Sequence, residues 1–305
     1  MAKHMLFRGM LASLLVAGTS CAALAQSADG PPVDGGTAVI AVGGDLKALN
    51  PTINTDAGVT AIGCMIHDGL VAIKNDGSYE PSLAKSWTIS PDGKTYTFEL
   101  AEAKWHDGKP FTSKDVEYFM TKVVTYAPLI ASQVGKKIVK VEPMGDHKIS
   151  VTLSEPFGPF LRMLACFNGG AIIPEHIYRG TEPAANQASN APIGTGPFKF
   201  VEWRSGESIR LAKNENYWRT KVHLDGIVVR MMPNPGTRTQ ALKAGEVDFI
   251  ARFYLPTSDI ATIKADPKLK LVESGSLPNM LMGFLNVKVK PLDNKKVRQA
   301  LFSVI

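Results

Sequence analysis

A mixed α/β fold of two lobes is what the sequence predicts, and three observations carry that reading. Runs of β-branched and aromatic residues alternate with helical stripes along the chain. Hairpins are inserted between them, at Trp87 to Leu100 and at Ile138 to Leu153. The 305 residues, 45% of them hydrophobic, can bury a sizeable core and make about two domains.

The first residues read as a secretory signal. Lys3, His4 and Arg8 precede an apolar run from Met10 to Gly18, and Ala23-Leu24-Ala25 offers a small-x-small cleavage site. The run is too short to span a bilayer as a stable helix. Export with cleavage after Ala25 is expected, which makes 1–25 the leader and 26–36 a Gly/Pro/Asp-rich flexible tether, expected to be disordered. A rival reading makes Cys21 a lipid-modified residue, but Gly18-Thr19-Ser20 is a poor lipoprotein box. Net charge is +6, and loss of Lys3 and Arg8 with the leader leaves +4. With no basic run longer than a pair such as Lys295-Lys296, no nucleic-acid partner is expected. Cleavage also leaves Cys64 and Cys166, which could form a disulfide in an oxidising compartment; two buried free thiols are slightly favoured, because nothing in the sequence sets their separation.

Thr37 to Val42 reads as the first strand, Leu49-Asn50-Pro51 as a turn and Val59 to His67 as a short helix. Leu70 to Ile73 opens a smaller domain, and Pro81 to Trp87 reads as a one-turn helix that packs Leu83 and Trp87 inward. In the hairpin that follows, Pro91-Asp92-Gly93-Lys94 makes the turn, with Pro presetting one dihedral and Gly accepting positive φ. Thr112 and Asp115 form a capping box, and Val116, Phe119, Met120, Val123 and Val124 line one face of the helix it opens. Ile138 to Leu153 is a second hairpin, and Phe157 to Leu164 a short helix. Thr181 to Ala191 reads as a surface loop. Thr237 onward is a helix closed by Gly245, then a strand from Glu246 to Phe249. Met280, Met282 and Phe284 alternate as in a strand crossing between lobes, and Asp293 or Asn294 caps a last helix carrying Val297, Leu301 and Val304.

The stretch from Pro81 to Val116 resembles a known family. The order Pro81-Ser82-Leu83-Ala84-Lys85-Ser86-Trp87, then Asp92-Gly93-Lys94-Thr95-Tyr96-Thr97-Phe98-Glu99-Leu100, then Trp105-His106-Asp107-Gly108-Lys109-Pro110-Phe111-Thr112 is similar to the signature of the extracytoplasmic solute-binding proteins of ABC transporters, family 5. Further landmarks at Pro192 to Phe198, Asn214 to Trp218, Thr237 to Ile250 and Phe284 to Leu301 extend the resemblance to the end of the chain. It implies a periplasmic-binding-protein type II-like bilobal fold. Lobe one is expected over 37–67 and 175–275, an inserted small α+β domain over 68–174, and the start of a second, largely missing lobe from 276. Members of the family continue far beyond this point, so the printed residues are expected to be the N-terminal part and, with one cleft wall missing, to bind ligand weakly alone.

Other motifs resolve into ordinary chemistry. Gly194-Thr195-Gly196 lacks the Lys-Ser/Thr of a P-loop and precedes a strand, so it reads as a tight turn beside the hinge. Ser82-Leu83-Ala84-Lys85 fits the S-x-x-K of penicillin-recognising enzymes without their other elements. His67-Asp68-Gly69 and His106-Asp107-Gly108 read as turns, since neither His has a further ligand at metal spacing.

The resemblance implies a monomeric periplasmic receptor, neither enzyme nor cofactor-dependent, that captures a di- or oligopeptide and delivers it to an ABC permease in the cytoplasmic membrane. Another solute of the same family, a nickel complex or an oligosaccharide, is the alternative, and an exported serine hydrolase is the alternative from a different class. Carried over by position, the cleft segments are Thr55, Asp56 and Ala57, then Arg252, Phe253 and Tyr254, then Asn279 to Met282 with Met280 among them. Backbone groups of the first and last would pair with an extended ligand, and Phe253 or Tyr254 would stack on it.

Overall fold

In the computed structural model, which describes residues 31–126, 131–251, 254–272 and 285–302, the first elements are β1 (Thr37–Val42) and α1 (Ala57–Ile66). Next come β2 (Val71–Ile73), β3 (Tyr79–Pro81), β4 (Ala84–Ile89), β5 (Thr95–Leu100), α2 (Ser113–Thr121) and α3 (Ala131–Gly135). They are followed by β6 (Ile138–Pro143), β7 (Lys148–Leu153), α4 (Phe160–Met163), α5 (Glu175–Tyr178), β8 (Phe198–Arg204), β9 (Ser208–Lys213) and β10 (Gly226–Met231). The chain then forms α6 (Pro235–Ala244), β11 (Phe249–Ile250), α7 (Ile260–Ala265) and α8 (Lys295–Phe302). It divides into two units, Met1–Val33 and Asp34–Ile305, and all of these elements belong to the second.

A five-stranded sheet in the order β11-β1-β10-β9-β8 places β1 between two parallel neighbours. Three carboxyl ends therefore meet at one edge, near Val42, Met231 and Ile250. In open α/β sheets this edge is where ligands bind. A four-stranded antiparallel sheet, β4-β5-β7-β6, carries both expected hairpins. On β5 and β7 the inward positions Tyr96, Phe98, Leu100, Ile149, Val151 and Leu153 are buried, the period of two that a one-sided sheet demands.

α2 covers that sheet along β6 and β7. The helix begins as its capping box requires: the Thr112 side chain accepts from the Lys114 N–H, and Asp115 Oδ2 accepts from the Thr112 N–H at 2.9 Å. Its five predicted apolar positions are all buried, although Val123 and Val124 fall in a 3-10 turn beyond the helix. Asp115 also accepts from Glu175 N–H at 3.0 Å and, more weakly, from Trp105 Nε1 at 3.4 Å. Burial pushes its carboxyl up to about 6, while the hydrogen bonds from Thr112 and Trp105 pull the other way.

Several expectations need correction. Pro81 to Trp87 is no helix: Ala84–Ile89 pairs with β5, and Leu83 and Ala84 donate to Gly69 and Leu70. Sheet pairing outweighs a local turn preference. Ser82 is buried and Lys85 is exposed on a strand, so S-x-x-K here lacks the exposed nucleophile its chemistry needs. The tether is ordered at its end, where Gly35 N–H donates to His223 O at 2.8 Å and Asp34 pairs with Lys221 and His223. Thr181 to Ala191 contains a 3-10 turn, Gln187–Ser189, whose Ser189 is buried against the Tyr178 hydroxyl at 3.2 Å. The strand expected from Glu246 shortens to Phe249–Ile250.

The two cysteines are joined. Cys64 on α1 and Cys166 in the 3-10 turn Cys166–Asn168 form a disulfide with Cα atoms 5.8 Å apart, across 102 residues of sequence. That separation is a product of the fold, which returns the chain to α1 after β7 and α4, and no local pattern encodes it.

Candidate functional site

The expected cleft residues of the first segment sit just past the carboxyl end of β1, at the amino end of α1. Asp56 is the N-cap: its Oδ1 accepts from Gly58 N–H at 2.9 Å, and its own N–H donates to Asn54 Oδ1 at 2.9 Å. This is the ordinary cap chemistry of Asp, and it leaves Thr55 and Asp56 exposed and Ala57 half-buried. A Cβ on Gly169, in the loop that carries Cys166, would lie 3.9 Å from Thr55 Cγ2. That loop is tied down by the disulfide and by the Thr52 hydroxyl, which donates to Ala171 O at 2.7 Å.

Tyr254, a few residues beyond the carboxyl end of the neighbouring strand β11, arrives at the same place. A Cβ on Gly43 would stand 2.5 Å from its Cδ1, and one on Gly58 would collide with its hydroxyl. The ring thus lies against the β1 carboxyl end and the first turn of α1. Burial, and then the charge of Asp56, raise its pKa. Arg238 of α6, 5% exposed, donates through Nε to Tyr254 O at 3.0 Å and through Nη1 to Met232 O at 2.5 Å and Pro233 O at 3.0 Å. Its guanidinium lies 5.9 Å from the Tyr254 ring centroid. The structure therefore brings Asp56, Ala57 and Tyr254 to one corner. Arg252, Phe253, Asn279, Met280 and Met282 lie outside the described residues.

A second polar cluster ties the segment after α1 to the loops that flank β8 and β9. Asp68 is buried, accepting from the Thr195 hydroxyl at 3.1 Å and the Tyr217 hydroxyl at 3.2 Å, and burial raises its pKa. Tyr217 is pushed up too, by burial and then by the Asp68 charge. His67-Asp68-Gly69 is thus a buried junction, where a turn was expected. His106-Asp107-Gly108 is a turn, with Gly108 at φ +90° and Asp107 Oδ1 accepting from Lys109 N–H at 3.1 Å. His106 reaches further: its Nδ1 accepts from Gly194 N–H at 3.2 Å, so Nε2–H donates to Gly196 O at 2.9 Å. Burial holds His106 down at about 4 and His67 at about 3. Gly194 to Gly196 is a close crossing of two backbones rather than a tight turn. Side chains there would strike the Ile66 carbonyl, to which Gly196 N–H donates at 2.8 Å. Among the described residues no group of three His, Cys, Asp or Glu side chains is placed to hold a metal ion.

Sequence reasoning missed Arg238, Gly43 and Gly58 at the corner, and Asp68, Thr195 and Tyr217 at the junction. Gly58, near the start of a helix where Ala would be favoured, is the one local signal that something else needs the space.

Residues 78–305 match the family described as bacterial extracellular solute-binding proteins, family 5. The chain belongs to that family, one of solute-binding proteins and not of enzymes. A Brucella ovis protein described as an ABC transporter peptide-binding protein is 34% identical over 229 residues, covering 73% of this chain and 42% of that protein. The oligopeptide-binding protein AppA of Bacillus subtilis is 31% identical over 92% of this chain and 52% of its own length. Its structure with a nonapeptide superposes with a TM-score of 0.77, covering 90% of this chain and 55% of that one at 27% identity. NikZ of Campylobacter jejuni, solved with Ni(L-His), gives 0.71 at 26% identity, over 88% of this chain and 53% of its own. The chain spans about half the length of the curated relatives it matches. The type II-like binding-protein fold implied by the resemblance is the fold these structures share.

Proposed function

We propose that the protein is the peptide receptor of an ABC importer, exported with cleavage after Ala25, working as a monomer in the periplasm and passing di- or oligopeptides to its permease. The observation that carries this reading is the corner at the ends of β1, β10 and β11, where the exposed Asp56, next to the exposed Thr55, stands near the Tyr254 ring. Such a place offers backbone groups to an extended ligand and an aromatic surface to its side chains. Thr55, Asp56, Ala57 and Tyr254 are the contacts proposed from the described residues, with Arg252, Phe253, Asn279, Met280 and Met282 from outside them. The division into lobe one at 37–67 and 175–275 and a small domain at 68–174 belongs to the same reading, with the hinge between lobes closing on the ligand. Likeness to AppA and to the Brucella protein supports peptides over other solutes.

Calorimetric titration of the protein purified from the extracytoplasmic fraction, with a tripeptide, a nonapeptide and Ni(L-His), tests it. Heat with either peptide and none with the nickel complex supports the reading. Heat with Ni(L-His) alone establishes the second reading, which likeness to NikZ favours. The intact mass of the same sample checks the leader: an N-terminal residue other than Gln26 sinks cleavage after Ala25.

A further inference from the structure

Tyr254 occupies space that two glycines leave open. Neither Gly43 nor Gly58 has a positive φ, so neither is needed for its backbone conformation. Gly58 even lies in the first turn of α1, where alanine favours a helix. What an added methyl would meet is specific: Tyr254 Cδ1 at 2.5 Å and Cε1 at 2.7 Å from Gly43, and the Tyr254 hydroxyl together with Leu46 Cδ2 from Gly58. From the other side Arg238 binds the Tyr254 carbonyl and the last carbonyls after β10. Among the described residues its donors go to backbone carbonyls, and no carboxylate pairs with this buried cation. A guanidinium placed so spans two loops and holds their spacing.

We propose that Gly43, Gly58 and Arg238 form a seat that fixes the Tyr254 ring as a preformed aromatic wall of the ligand cleft. Arg238 is a positioning residue and touches no ligand. The advantage is preorganisation: a ring already in place loses little freedom when a peptide packs on it. The inference rests on Tyr254 being a ligand contact, as proposed above.

The atoms that an alanine at Gly58 would strike are the ends of two side chains, so the ring can be displaced without unfolding the protein. The test uses the protein from the extracytoplasmic fraction, a tryptic digest of casein as the peptide probe, and mass spectrometry of what is retained. Gly58→Ala and Tyr254→Ala are each expected to lower capture at least fivefold, and the double variant to match Tyr254→Ala. Capture by Gly58→Ala at the wild-type level overturns the seat, as does a further fivefold loss when Gly58→Ala is added to Tyr254→Ala. If the wild type captures no peptide, the peptide reading fails, and a second measurement still decides the seat. In protein labelled with 3-fluorotyrosine, the Tyr254 fluorine signal is identified by its absence in Tyr254→Phe. It should move toward the free amino acid in Gly43→Ala, Gly58→Ala and Arg238→Met; an unmoved signal in all three overturns the inference.

Discussion

Two helices of this protein begin with the same cap chemistry and in very different surroundings. At α2, Thr112 and Asp115 satisfy each other's backbone within a few residues, over a core of Phe98, Trp105, Phe111 and Phe119. At α1, Asp56 caps alone in the open, and the first turn is completed by a ring from Tyr254 and, through it, by Arg238 on α6. One corner is self-sufficient and buried. The other is assembled from remote segments and stays partly exposed.

The largest expected effect belongs to the bond that ties α1 to the chain returning after β7 and α4. The disulfide closes 102 residues, and a loop that long contributes about 4.7 kcal/mol in the chain-entropy account. Replacing Cys64 and Cys166 by Ala should therefore lower unfolding stability by ~4 kcal/mol in urea denaturation; a loss under ~1 kcal/mol would mean that packing alone holds the Cys166 turn against α1. Phe119→Ala, in the buried corner, should cost ~3–5 kcal/mol and leave peptide capture by the surviving folded protein unchanged.

The buried junction predicts a pH dependence. His67 and His106 have folded pKa values near 3 and 4, below the unfolded 6.5, so they stabilise the fold above that value and lose the contribution as pH falls. Asp115, raised to about 6, runs the opposite way: its neutral form favours the fold, and that help fades as pH rises from about 4 through 6. Asp68, also raised by burial, runs with Asp115, while carboxylates held low by hydrogen bonds, such as Asp45 and Asp92, run with the histidines, so stability should fall between pH 7 and 4.5. A double variant, His67→Leu with His106→Asn, should flatten that slope in thermal melts, and an unchanged slope would place the titrating groups elsewhere.

The smallest effects compare the caps directly. Thr112→Ala should cost about 1 kcal/mol and leave ligand capture alone. Asp56→Ala should cost about the same or less in stability, yet reduce capture, because it disturbs the residues that frame Tyr254. Equal capture by the two variants would erase the functional difference between the corners.

The sequence by itself determined what short spacing can encode. The capping box, the buried stripe from Val116 to Val124, both hairpins and the Gly245 helix end are written in neighbours a few residues apart, and the structure keeps them. The resemblance implied Asp56, Ala57 and Tyr254 as ligand contacts, and the fold sets these three at one corner, where their contact with a ligand is the proposal made above. Only the tertiary structure decided the rest. The Cys64–Cys166 bond, the buried Asp68 with Thr195 and Tyr217, and the seat of Gly43, Gly58 and Arg238 all join residues far apart in sequence. Local preference spans a turn or two, whereas a buried polar group or a glycine's missing methyl takes its meaning from whatever the fold presses against it.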